Sequence, residues 1–321
     1  MTSEQLRLVR SGDERVEVLW GRLPLFTYVY RVAAPRSESP KPYLHPIRTL
    51  SGDVITAFRP EDHVWHRGVQ LTAPNLSGQN FWGGGTYVHG SGYVDLPNNG
   101  TMEHVEWEEV ETDGTAARLV ERITWRTAAG DAWIDERRTI EVPRVDAPAE
   151  HYQLSFTFQL RNIASHDLVF ASPAIAGRPD AGYGGLFWRG PDSFVGGRTI
   201  AAGGLEGTDV MGSRAQWLAF SGRHENGSVS TLIFIDDELN PRYPTEWFVR
   251  TSPIACVSPA FAFSERLTLP PADELTFRYA LVVVAGDVGR VDVERLVVAA
   301  RADATATVGS SPAPKLRTPL S

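Results

Sequence analysis

Two histidines three residues apart, His63 and His66, sit in the segment DHVWHRG (62–68) beside Asp62, Trp65 and Arg67. From Asn80 the chain runs on as NFWGGGTYVHG, which adds Trp82 and His89. Histidine is the side chain whose ordinary pKa lies nearest neutrality, so a pair of them can pass protons at physiological pH. Arg67 offers donors that can anchor a hydroxyl or stabilise an oxyanion or enolate. Tryptophan beside Arg, Asn and His offers an apolar face with convergent hydrogen-bond donors, as a sugar ring requires. Five of the eight histidines fall between residues 43 and 107: His45, His63, His66, His89 and His104, the last beside Glu103. A lone histidine is commonly a satisfied structural group, but loops rarely gather this many bulky polar side chains for connection alone.

A second constellation is YGGLFWR (183–189). Its glycine pair lets the backbone approach a ligand or a tight turn, and Trp188 and Arg189 can stack on and hydrogen-bond a ring. An ordinary Gly-rich hairpin is the plainer alternative. The spacing of His63 and His66 places them on opposite faces of a strand but on one side of a turn. Neither an HExxH spacing nor a 2-His-1-carboxylate pattern on one strand is present, and because acid–base chemistry needs only matched proton donors and acceptors, no cofactor is expected. A divalent metal held by His63 or His66 with His45, His89 and Glu103 is kept as an alternative. The run 83–85 (GGG) lacks the Lys-Ser/Thr of a phosphate loop, and no GxSxG nucleophile signature occurs. The single cysteine, Cys256, excludes intrachain disulfides and a cysteine-based zinc or iron–sulfur site, and its apolar surroundings read as core.

The elements that must position these residues read as strands. Segments 15–20 (RVEVLW), 25–32, 52–58 (GDVITAF), 104–110, 117–126 and 133–142 alternate apolar with polar or are β-branched and aromatic, and the second half continues in the same way. Only 288–301 carries a helical apolar stripe. The pattern predicts an all-β fold, a large two-sheet antiparallel sandwich with few helices, as one domain over 1–301. Residues 302–321, small and Pro-rich, are expected to be disordered or loosely draped. With 31 basic against 39 acidic residues the net charge is −8, which argues against nucleic acid and anionic membranes as partners. The start of the sequence lacks the pattern of a signal peptide, and no run approaches the ~20 apolar residues of a membrane span. A cytoplasmic, soluble protein is expected.

Taken together, PYLHPIRTLSG, DHVWHRGV, SGQNFWGG and YGGLFWRGP resemble the bacterial family labelled PmoA-like (DUF6807), over about residues 28–284. The combination of DHxxHRG with NFW carries more of the resemblance than any one motif. It implies a two-sheet β-sandwich similar to the galactose mutarotase supersandwich and a place in bacterial sugar catabolism. The family-typical polar positions are His63, His66, Arg67, Asn80, Trp82, Tyr183 and Arg189. His45 and the expanded stretch that carries His89 depart from that pattern. The reading is a sugar-processing enzyme (lyase, hydrolase or epimerase) with His63 and His66 as proton-transfer pair and Arg67 as anchor. His104 and Glu103 are the next candidates for the complementary acid or base. Substrate contacts are expected from His45, Asn80, Trp82, His89, Tyr183, Trp188 and Arg189. A non-catalytic carbohydrate-binding protein and a metal-dependent enzyme are the alternatives. The expected partner is a small sugar, with a homo-oligomer left open.

Overall fold

A computed structural model describes residues 4–309. The alternating segments Arg15–Trp20 and Ala117–Arg126 form strands with the bounds their pattern indicates. Strands assemble into an eight-stranded and a nine-stranded sheet, antiparallel throughout both. The smaller sheet has at its centre Tyr43–Ile47, Val69–Thr72 and Gly185–Arg189, followed by Cys256–Pro259. The core lies between the sheets. Leu44, Val69, Leu71, Trp188 and Val257 from one meet Leu119, Trp125, Phe156, Phe220 and Leu281 from the other. Each such side chain contributes roughly 1.5–3 kcal/mol by leaving water.

Successive residues on a strand point to opposite faces. On Gly185–Arg189, Trp188 therefore enters the core while Phe187 and Arg189 face outward. Register places Tyr43 opposite Gln70, Gln70 opposite Phe187, and Arg189 opposite Cys256, so these outward residues form one continuous patch. Loops cover it with Trp82, Tyr183 and Phe263, which join Phe248 of the edge strand Trp247–Arg250 in a second small apolar cluster. The outer face of the larger sheet is covered instead by the helix Arg290–Gly309. Its Val293, Val297 and Ala300, spaced as one helical face, pack on Trp217, Ile233, Val282 and Val284.

Two expectations shift. Residues 52–58 are not a strand; only isolated bridges occur, at Val54 and Phe58. Their backbone partners are divided between two strands, Ile55 N donating to Ile47 O (3.0 Å) and Ala57 N to Arg189 O (2.9 Å). The segment thus ties strand ends together. The helix continues past residue 301 into the stretch read as a draped tail, and residues 310–321 lie outside the described part. Among the described residues no helix is long and apolar enough to cross a membrane.

Candidate functional site

Residues 59–68 fold back over the outward patch of the eight-stranded sheet. Three backbone hydrogen bonds pin the loop: Arg59 N to His66 O (2.8 Å), Gly68 N to Ala57 O (2.8 Å) and Arg189 N to Gly68 O (2.9 Å). Inside it, His63 N donates to Pro60 O (3.0 Å) and His66 N to His63 O (2.9 Å), two successive tight turns. The spacing of three therefore puts the imidazoles on one side, stacked at 4.6 Å with 10° between planes. Trp65 lies along the backbone of Gly83 and Gly84. A Cβ at either glycine would stand 2.6 Å or 2.5 Å from the Trp65 side chain, and both residues have positive φ (115° and 64°). Only glycine fits there. Asn80 holds this loop in place: Oδ1 accepts from Trp82 N (2.8 Å) and Gly83 N (2.9 Å), and Nδ2 donates to Gly84 O (3.1 Å) and Thr86 Oγ1 (3.2 Å).

Charged groups converge beneath the loop. Glu38, from the short turn Arg36–Glu38, accepts from Arg59 (2.7 Å) and from the buried Arg67. Lys41, also buried, donates to Trp82 O (2.9 Å) and Glu38 O (3.4 Å). Burial, reinforced by Arg67, holds its amine well below the usual lysine range. Arg189 reaches both Asp62 oxygens at 3.2–3.3 Å and His66 Nδ1 at 3.3 Å. Asp62 Oδ2 also accepts from His63 Nδ1 at 2.7 Å. Desolvation raises the Asp62 carboxyl, but His63 and Arg189 outweigh it and keep the acid below its ordinary value. Burial, with the nearby charges of His63, Arg189 and Lys41, pushes His66 far below the usual histidine range.

These partners assign the tautomers. Arg189 can only donate, so His66 Nδ1 accepts and its proton sits on Nε2. The ionised Asp62 can only accept, so His63 carries hydrogen on Nδ1, and in the neutral ring Nε2 is the nitrogen left to accept a proton. Five buried polar atoms here have no protein partner: Trp65 Nε1, His66 Nε2, Arg67 Nη1, Gln70 Oε1 and Arg189 Nε. Each unpaired buried group costs about 1–3 kcal/mol, so such a concentration marks a place completed by a ligand or by water.

The family model for DUF6807, described only as a family of unknown function, matches residues 15–298. The chain belongs to this family. One solved structure, described as a polysaccharide lyase, is similar at a TM-score of 0.33 and 10% identity, over 89% of this chain and 34% of that one. The chain thus spans about a third of that protein's length. A search of curated proteins finds no match.

In this DUF6807 chain the fold brings together His63, His66, Arg189 and Trp82, whose ring meets His66 edge-on at 5.1 Å, and Arg67 adjoins them in the Glu38–Lys41 group that bonds Trp82 O. Tyr183 borders them, 4.4 Å from Trp82, with its hydroxyl on Tyr93 (2.7 Å). Trp188 is placed elsewhere. It is 0% exposed, bonds Ile55 O (2.8 Å) and packs on Phe220 and Phe234, because strand alternation sends it away from Arg189. Asn80 has both acceptor sites and both amide donors engaged by its own loop, which leaves nothing for a sugar. His45 bonds Thr56 (2.9 Å) and stacks on Phe58, and burial aided by Arg48 lowers it to about 4. His89 is exposed on the hairpin that follows the glycines and rests against Gly177. His104 pairs with Glu121 (2.7 Å) between Tyr30 and Trp107, and Glu103 pairs with Arg126 (3.1 Å), both on the nine-stranded sheet.

The histidines and glutamate considered as a metal set are therefore dispersed. Among the described residues no group of three or more His, Cys, Asp or Glu side chains is placed to hold a metal ion. Cys256 is buried, its thiol pushed up to about 12 by desolvation. Glu38, Lys41, Gln70 and Phe187 complete the cluster without having stood out in the sequence. Gln70 alone left a signal, a polar side chain within the strand VQLT.

Proposed function

We propose that this chain is an enzyme acting on a sugar or an oxidised sugar derivative by general acid–base chemistry at the His63–His66–Arg67–Arg189 site. One observation carries the reading: unpartnered buried donors lie beside an Asp62–His63 pair in which Asp62 engages Nδ1, so that Nε2 is the nitrogen left to take up a proton. His63 Nε2 takes a proton from a hydroxyl or an acidic carbon, and Asp62 orients the ring and stabilises the imidazolium that results. His66, kept neutral, acts as a hydrogen-bond donor rather than a second base. With Arg67 and Arg189 it faces the oxygen on which charge develops. Trp65 and Trp82 supply the apolar walls. Elimination, epimerisation and hydrolysis all need such a proton acceptor opposite fixed donors.

The test is turnover of a panel of neutral, acidic and 3-oxo sugars by the wild-type protein and by His63→Ala. Turnover that falls about 10²–10⁴-fold in the variant supports the reading. Binding without turnover in the wild type, weakening only gradually in the variant, would make this a carbohydrate-binding protein instead.

A further inference from the structure

The unpartnered atoms differ in kind. Indole nitrogen and guanidinium can only donate, and the Arg189 contact makes His66 Nε2 a donor as well. Among the buried unpartnered atoms here, four donors, on Trp65, His66, Arg67 and Arg189, thus stand against one acceptor, Gln70 Oε1. A neutral sugar hydroxyl both donates and accepts, and a site shaped for hydroxyls alone would offer a mixture of the two.

Charge points the same way. At this site the deeply buried charged side chains include Arg67 and Arg189 but only one carboxylate, Glu38, which already serves Arg59 and Arg67. Asp62 and Asp192, the remaining acids on Arg189, have side chains 43% and 84% exposed, so water screens them.

We infer that the ligand is a sugar acid whose carboxylate is received by Arg67 Nη1, Arg189 Nε and His66 Nε2–H, with the ring between Trp65 and Trp82. The inference rests on the sugar-processing reading and narrows its substrate class. A carboxylate supplies acceptors for the surplus donors and a negative charge for the surplus cations, and charge-assisted bonds of this kind are about twice as strong as neutral ones. A hydroxyl of the same ring can donate to Gln70 Oε1.

Calorimetric titration at fixed ionic strength, with D-glucuronate and D-galacturonate against glucose and galactose and with sulfate as control anion, tests it. The expected result is uronate binding at least tenfold tighter than the matching neutral sugar. Gln70→Glu, nearly isosteric, should weaken uronate binding more than neutral-sugar binding and so remove that preference. Arg67→Met should remove it too, and a circular dichroism melt shows whether each variant is folded. Neutral sugars binding as tightly as uronates would overturn the acidic-ligand inference and leave the sugar-processing reading standing. Sulfate binding as tightly as uronate would reduce the site to a general anion site and overturn it as well. No binding of any sugar, neutral or acidic, would sink both.

Discussion

Between the sheets, Tyr28, His104, Glu121, Glu136, Arg138 and Trp125 form one buried polar network; over the outer face of the smaller sheet, Glu38, Lys41, His66, Arg67, Gln70 and Arg189 form another. Both use histidine, arginine and glutamate among aromatic rings. In the first, the charged groups close on one another. Glu121 takes His104 (2.7 Å) and the Tyr28 hydroxyl, while Glu136 takes Trp125 (2.6 Å) and both Nε and Nη2 of Arg138 (2.7 and 3.1 Å). In the second, donors are left over. Composition alone does not separate a structural network from a functional one. Satisfaction does: a closed network holds the sheets together, and an open one is completed from outside.

The sharpest way to break this contrast is to disable one network and measure the property assigned to the other. His63→Ala should lower turnover about 10²–10⁴-fold. Since the side chain is partly exposed, stability in a urea titration should stay within about 0.5 kcal/mol. Arg138→Met should do the converse. It strands Glu136 at 0% exposure, and removing one partner of a buried pair costs about 3–5 kcal/mol, while turnover per folded molecule stays unchanged. Gly84→Ala should lie between, costing about 1–3 kcal/mol from the positive φ and the Trp65 contact and weakening ligand binding together with stability.

The smallest effect concerns His45. Its folded-state value of about 4 lies below the ordinary 6.5, so the unfolded chain binds the extra proton between those limits. Stability should therefore fall as pH drops from about 6.5 towards 4, by about 1 kcal/mol after allowing for solvent screening. His45→Gln should flatten that slope in melts across the range, and an unchanged slope would assign the dependence to other groups.

Much of the fold was legible because alternation in segments such as ARLVERITWR records which face is buried. The failure at residues 52–58 has a physical origin: apolar and β-branched residues there are buried by crossing strand ends, not by pairing along one partner. At the site, DHVWHRG and NFW were legible by residue type. Trp188 and Arg189 could have been separated from the sequence alone, since neighbours on a strand cannot share a face. His104 and Asn80 carried no such mark: His104 is satisfied by Glu121 on the neighbouring strand, and Asn80 by the backbone of its own loop, whose turn geometry the residue types do not record. Lys41 and Glu38 became visible only once a short turn had been buried.

The strand Gly185–Arg189 joins the two regions mechanically. Trp188 is locked among Phe194, Phe220 and Phe234, and the next residue carries the guanidinium that meets Asp62 and His66. The backbone that carries Arg189 cannot shift away from the site unless Trp188 is drawn out of the sandwich. The stiffness of the core is thereby lent to the chemistry, and a ligand meets a donor whose orientation was settled when the protein folded.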